Sequence, residues 1–228
     1  MQVLIHMGIL IAAYLIGSIP FGLLFVRLIS GRDIRNVESG RTGGTNAMRA
    51  AGVGAGVLTA VFDILKSATT VWMARALTGS EWIHALAPIA CILGHNHSIF
   101  LIERGENGKL HLRGGAGGAA ALGGSLGLWW PSALIMLPIG WVIWWGIGYA
   151  SLTTLSVGLM SSIIFLIRAA MGLSPWEYAA YGLLAEVLLV LALRPNIKRL
   201  HDGTERLHGW RANRQRQQPP SPDPGEQP

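Results

Sequence analysis

From Glu38 the chain reads Glu38-Ser39-Gly40-Arg41-Thr42-Gly43-Gly44-Thr45-Asn46-Ala47-Met48-Arg49, soon after an apolar run that ends near Val26. Gly40, Gly43 and Gly44 let backbone N–H groups converge on an anion. Ser39, Thr42, Thr45 and Asn46 add neutral donors, while Arg41 and Arg49 carry guanidiniums that grip phosphate oxygens with two prongs. Such a set holds a phosphate where a membrane segment meets water. A polar loop whose arginines only anchor the topology has the same composition, so other motifs must decide between the two.

Three further runs carry similar chemistry. Arg113-Gly114-Gly115-Ala116-Gly117-Gly118 leads on to Gly123-Gly124, and the sequence predicts that it opens a helix. The free N–H groups and positive dipole end of such a helix would make Gly114 and Gly115 phosphate donors beside Arg113. Glycine and alanine runs also serve close packing of membrane helices. Ser151-Leu152-Thr153-Thr154 reads by itself as a helix cap. Arg194-Pro195-Asn196-Ile197-Lys198-Arg199-Leu200, followed by Gly203-Thr204-Glu205, reads by itself as a basic juxtamembrane stop.

The elements that must position these residues follow from composition. Of 228 residues, 51% are hydrophobic and 13% are charged, with a mean hydropathy of +0.42. That balance belongs to a polytopic membrane protein. A crossing needs roughly 20 mostly apolar residues, and the chain predicts about seven, over 3–28, 53–77, 82–102, 114–130, 132–149, 152–171 and 176–193. The runs are continuous and do not alternate, so the fold class is all-α and a lipid-facing barrel is excluded. No Lys or Arg precedes Arg27, so the first segment lacks the basic start of a cleaved leader and is expected to remain as a helix.

Lys and Arg cluster in 27–49, 104–113 and 194–216. Seven crossings place these stretches on one side, cytoplasmic by the positive-inside rule, with the N-terminus outside and the C-terminus inside. Cations that follow topology imply membrane lipid headgroups as partners and no nucleic acid, despite a net charge of +6. Arg75 and Arg168 fall near outer helix ends, where long side chains snorkel. Lys66 sits three residues after Asp63, on one helical face, and reads as a buried structural pair. Cys91 is the sole cysteine, which excludes an internal disulfide and reads as packing. Glu186 falls near the middle of the last helix and is a protonated structural acid or lines a cavity. Residues 1–205 read as one membrane domain. Residues 206–228, rich in Arg, Gln and Pro, read as a disordered cytoplasmic tail.

The order of the motifs resembles one family, the bacterial integral-membrane acyl-phosphate:glycerol-3-phosphate acyltransferases of the PlsY type. Gly17-Ser18-Ile19-Pro20-Phe21-Gly22 is similar to its opening motif. Asp33-Ile34-Arg35, with Ser39-Gly40 and 43–49, resembles its first active-site loop. Asp63 with Lys66, Gly94-His95, Phe100-Leu101, the second glycine run, Ser151-Leu152 and 194–205 follow in family order.

The resemblance implies a seven-helix protein of the bacterial cytoplasmic membrane. It would transfer a fatty acyl group from acyl phosphate to the 1-hydroxyl of glycerol 3-phosphate, giving 1-acyl-glycerol 3-phosphate. Ser39, Arg49, Asn196 and Ser151 match its substrate-contacting positions, Thr45, Asn46, Gly114 and Gly115 are expected phosphate donors, and His95 is a lesser candidate. An acyl phosphate is already activated, so no covalent nucleophile, cofactor or metal is expected. The His95–His97 spacing suits no metal on a helix.

The chain departs from the family at three positions. Ala116 stands where the family carries a lysine, Arg41 where it has an asparagine, and Leu193 where it has a histidine. The 100–114 loop is also longer. Either Lys109, Arg113 or Arg41 restores the missing charge, or the chain binds phosphate or lipid with little chemistry. A small transporter is a third class, against which the clustering of the polar loops on one face argues.

Overall fold

The computed structural model describes residues 1–104, 108–208 and 212. Four helical stretches, Gln2–Ser30, Gly44–Leu77, Ala150–Ala170 and Trp176–His201, are long and apolar enough to cross a membrane, and Gly118–Leu128 and Pro131–Ile147 are shorter apolar helices. The helical, multi-pass class therefore stands, with corrections in detail.

The first expected helix is two: α1 (Gln2–Ser18) and α2 (Phe21–Ser30), broken at Ile19-Pro20. Pro20 has no N–H to give to the ladder. The carbonyl exposed at the break, Ile19 O, accepts from Lys66 Nζ at 3.0 Å. Helix α3 (Gly44–Leu77) starts nine residues before the expected 53 and is interrupted at Ala51 and Gly52. Gly52 has φ 86° and ψ 175°, a region open in practice only to glycine. Its first two turns thus fold back, and a Cβ at Gly44 would meet Gly56 O at 2.9 Å.

Helix α4 (Glu81–Asn96) stops six residues before the expected 102. Beyond it stand two strands, β1 (Ile102–Arg104) and β2 (Leu110–Leu112), with Ile102 opposite Leu112 and Glu103 opposite His111. The all-α expectation missed this hairpin because the four apolar residues Ile99 to Ile102 suit a strand as well as a last helical turn. What selects the turn is tertiary: Ser98 Oγ donates to Ser18 O at 2.5 Å, and Ser98 N–H donates to Arg113 O at 2.9 Å.

Helix α5 (Gly118–Leu128) begins four residues later than expected, after Gly117 at φ 89°. Helix α6 (Pro131–Val142) runs into a π-turn, Ile143–Ile147, that ends at left-handed Gly148. Helix α7 (Ala150–Ala170) is close to expectation, and α8 (Trp176–His201) continues through Pro195 past the expected 193.

The core packs through small residues. A Cβ at Gly17 would strike the Cys91 carbonyl, one at Gly94 the Tyr14 carbonyl, and one at Gly123 the Ile64 carbonyl, which fixes the α1–α4 and α3–α5 crossings at backbone contact. Cys91 is wholly buried at the first crossing. Tyr181, Phe165, Leu189 and Ile92 fill the space among α4, α5, α7 and α8, and Tyr181 O–H donates to Ala121 O at 2.5 Å. At the far end Arg75 donates to Gly127 O and Leu128 O, capping α5. Arg168 lies 3.9 Å above the Trp129 ring. Glu186 Oε2 is buried without a hydrogen-bond partner among the described residues.

Candidate active site

One cavity of about 570 Å³ opens where the 31–43 loop, the start of α3, the turn before α5, the π-turn, and the facing ends of α7 and α8 meet. Its walls divide by chemistry. Ser39, Arg41, Thr45, Asn46, Arg49, Ser151, Asn196, Arg199 and Glu205 form a polar end. Val57, Ile64, Leu122, Met136, Leu137, Trp141, Trp144, Trp145 and Val157 line the remainder.

The polar end is held by a rigid loop. Asp33 accepts from Arg35 N–H at 3.0 Å and pairs with the Arg35 guanidinium at 2.6 Å, and Arg35 also reaches Glu103 at 3.0 Å. That side-chain hydrogen bond, together with the backbone one and the nearby charges, outweighs burial and holds the Asp33 carboxyl at about 2. The lowered value means that its stabilising contribution is complete above about pH 4 and fades as pH falls toward 2. Asn46 Nδ2 donates to Ile34 O, Val37 O and Arg41 O at 2.8–3.2 Å. Asn46 was expected to donate to phosphate; its amide hydrogens instead fasten the loop, and its buried Oδ1 has no partner among the described residues.

Eight of the expected residues line this cavity: Ser39, Arg41, Thr45, Asn46, Arg49, His95, Ser151 and Asn196. Four do not. Gly115 N–H donates to His95 O at 2.8 Å, and Gly114 O accepts from Thr42 N–H at 3.2 Å. A Cβ at Gly114 would strike His95 O and one at Gly115 the His95 ring. These glycines permit close approach and do not open a helix. Arg113 pairs with Glu103 at 2.6 Å and donates to Arg35 O, and Lys109 precedes β2; neither is among the lining residues.

All three departures from the family pattern, Arg41, Ala116 and Leu193, lie in this one lining. Arg41 Nη2 donates to Ala192 O at 2.6 Å, which draws its guanidinium across the cavity from the first loop to α8. Burial first, and Arg199 second, push the Arg41 pKa down.

Glu205 organises the far wall. Its Oε1 accepts from Ser151 Oγ at 3.2 Å and from Asn196 Nδ2 at 2.8 Å, and its Oε2 accepts from Arg199 Nε at 2.9 Å. The sequence singled out Glu205 only as part of a basic stop, because the partners that give it a purpose come from two different helices. Arg199, His208 and the Trp141–Trp144–Trp145 cluster had no signal beyond residue type. Arg206 pairs with Glu38 at 2.5 Å, so residues 206–208, assigned to the tail, pack on the site. The rest of the expected disordered tail, 209–211 and 213–228, lies outside the described residues.

Replacing Glu205 with Gln keeps the volume but turns an amide donor toward other donors. Losing charge-assisted hydrogen bonds of about 1.5–3 kcal/mol is expected to lower turnover roughly tenfold to a hundredfold and the melting temperature by about 3–10 °C. Unchanged turnover in Glu205→Gln would remove it from the machinery.

Beneath the polar end, Lys66 Nζ lies 2.7 Å from Asp63 Oδ1 and 3.0 Å from His95 Nδ1. Ile19 O is its third neighbour, at 3.0 Å. An ammonium can only donate, so His95 Nδ1 is the acceptor of that contact. Asp63 and His95 line the cavity floor. Among the described residues no group of three or more His, Cys, Asp or Glu side chains is placed to hold a metal ion.

The arrangement fits an amphiphilic anion. Arginines and the N-terminal turns of α3, α5 and α7 supply positive potential at one end, and an apolar trough extends from it. Residues 7–203 match the family model described as glycerol-3-phosphate acyltransferase. A glycerol-3-phosphate acyltransferase of Thermus thermophilus is 39% identical over 203 residues, covering 89% of this chain and 95% of the relative. One from Rubrobacter xylanophilus is 35% identical, covering 90% and 96%.

Among solved structures, PlsY, an integral membrane glycerol 3-phosphate acyltransferase, superposes in its glycerol 3-phosphate form with a TM-score of 0.75 and 31% identity, covering 90% of this chain and 96% of that one. Its lysophosphatidic acid form gives 0.72 and 29%. With a family-model match over residues 7–203, relatives covered nearly end to end and a fold that superposes, this chain belongs to the glycerol-3-phosphate acyltransferase family.

Proposed function

We propose that the protein transfers a fatty acyl group from acyl phosphate to the 1-hydroxyl of glycerol 3-phosphate, releasing 1-acyl-glycerol 3-phosphate and phosphate. The observation that carries this reading is a cavity that joins arginines at one end to an apolar trough at the other. Both substrates carry phosphate and one carries an acyl chain, so both have a place there. Acyl phosphate is a mixed anhydride, and the chain needs only to position and to stabilise charge. The hydroxyl oxygen bonds to the acyl carbon, the bond from that carbon to phosphate oxygen breaks, and the hydroxyl proton leaves on phosphate.

In this reading Arg49, Ser39 and Thr45 bind phosphate from the first loop, and Ser151 and Asn196, set by Glu205, face the reacting groups from the opposite wall. Arg41 supplies the cation absent at Ala116. It is preferred to Lys109 and Arg113 because only Arg41 of the three lines the cavity. Residues 1–205 form the acyltransferase domain, with seven crossings, the N-terminus outside and the C-terminus inside. The clustered cations support a site at the cytoplasmic face of the bacterial inner membrane.

The test is product formation by purified protein given acyl phosphate and labelled glycerol 3-phosphate. A chain that only binds phosphate gives no ester, and a transporter moves label across sealed vesicles without forming one. Arg41→Ala is expected to lower kcat/KM roughly a hundredfold, and Arg41→Ala with Ala116→Lys to recover part of it. Wild-type turnover in Arg41→Ala would assign the cation elsewhere.

A further inference from the structure

His208 lies beyond the part of the chain that matches the family, which ends at 203, yet it is 6% exposed. After Glu205 has bound Ser151, Asn196 and Arg199, the chain crosses the mouth of the cavity. Arg206 fastens to Glu38, and His208 N–H donates to Gly148 O at 2.7 Å. The imidazole stacks on Trp144, with centroids 6.2 Å apart and planes at 18°. The π-turn makes both contacts available, because the wider turn presents the Trp144 ring while left-handed Gly148 ends it with a free carbonyl. Held on these two sides, the ring meets Arg49: His208 Nε2 lies 2.8 Å from Arg49 Nη2.

Nη2 also lies 3.4 Å from His208 Nδ1. Two such short distances place it over the face of the imidazole and not along the in-plane lone pair of either ring nitrogen, so Arg49 directs its N–H at the ring face. Among the described residues, no hydrogen bond joins the Arg49 side chain to any residue but His208. Without this ring the flexible arginine has Glu38 and Glu205 within electrostatic reach, and pairing with either carboxylate would withdraw it from a bound phosphate.

We propose that His208 is a positioning residue of this reaction: by offering its ring face to one N–H of Arg49 it holds the guanidinium at the polar end of the cavity and keeps it from the neighbouring carboxylates. The proposal rests on the reading of Arg49 as a phosphate ligand. Burial, and then the charge of Arg49, outweigh Glu205 and Glu38 and hold the imidazole near a pKa of 4. It is therefore neutral at pH 7. Arg206, paired with Glu38, is the remaining charge beside it.

Two readouts on the full-length protein in detergent separate the contact from its consequence. Phenylglyoxal modification of Arg49, followed by mass spectrometry, reads how firmly the guanidinium is held. Protection of Arg49 by glycerol 3-phosphate reads phosphate binding without requiring turnover. His208→Ala is expected to speed modification and to raise the half-protecting concentration about tenfold, the worth of a largely desolvated cation over a ring. His208→Phe, whose ring also offers a face, is expected to return both within about twofold of wild type. In turnover assays kcat/KM for glycerol 3-phosphate is expected to fall by about the same factor.

Equal modification rates and equal half-protection in wild type and His208→Ala would overturn the proposal. So would faster modification with unchanged half-protection, since the contact would then have no bearing on binding. If glycerol 3-phosphate failed to protect wild-type Arg49, the phosphate-ligand reading would fall and this proposal with it, while the modification rates would still report the contact.

Discussion

Arg49→Ala is expected to reduce kcat/KM for acyl transfer by roughly a thousandfold, with no loss of folded protein. The expectation follows from where the charge develops. Attack on an acyl phosphate builds negative charge on the carbonyl oxygen and the departing phosphate, and removing one preorganised donor from a water-poor site costs about 3–4 kcal/mol of transition-state stabilisation. Arg49 sits on the folded-back first turns of α3, fixed by Gly44 packed on Gly56 and by the His208 contact. Its side chain lines the cavity and is not part of the core, so truncation exposes no large apolar surface. Arg49→Lys retains the charge but loses the two-pronged geometry, and an intermediate loss is expected. Product formation by the purified variants decides the matter. Turnover in Arg49→Ala within about tenfold of wild type, against the effect expected for such a donor, would mean that Arg41 and Arg199 suffice and that Arg49 serves only the loop.

The extent to which the site was legible in the sequence depended on whether a feature is local or tertiary. The first loop was readable because Ser39, Arg41, Thr45, Asn46 and Arg49 lie within eleven residues, and glycine spacing announces a bent backbone. The Asp63–Lys66 pair was readable from its spacing of three on one helical face. The second glycine run misled. Gly114 and Gly115 were read as an anion-binding helix start, but they pass against the His95 and Asn96 backbone, a partner that no local pattern names.

The β1–β2 hairpin was invisible for the same reason: Glu103 is drawn inward by Arg35, far away in sequence, as well as by Arg113. Pro20 was in plain view, yet two short apolar helices and one long one have the same hydropathy. The site's most connected acid, Glu205, was hidden in a stretch dominated by cations. Its role comes from α7, through Ser151, as much as from its own neighbours. The cation departure at Ala116 could be seen in the sequence, but choosing Arg41 over Lys109 and Arg113 required knowing which of them borders the cavity.

Asp63→Ala is expected to destabilise the fold more than any single change at the cavity rim. Lys66 and Asp63 are both almost fully buried, their side chains 3% and 1% exposed, and Lys66 Nζ reaches Asp63, His95 Nδ1 and the broken-helix carbonyl of Ile19. Removing the carboxylate leaves an uncompensated cation and costs about 3–5 kcal/mol, or roughly 10 °C or more in the apparent melting temperature of a chain this size. Because His95 and Ile19 O are held through the same ammonium, the damage should spread to the α1–α2 break and to the cavity floor, lowering turnover as well. The double replacement Asp63→Leu with Lys66→Met separates the two effects. Exchange of a buried pair for packed apolar side chains is often neutral or favourable, so the double variant should melt near the wild-type temperature. If it does so and still turns over substrate, the pair is structural, as its spacing implied. A double variant that is stable but inactive would show that Lys66 acts through His95 on the chemistry, and a single Asp63→Ala variant as stable as wild type would show that Lys66 is not charged in the folded protein.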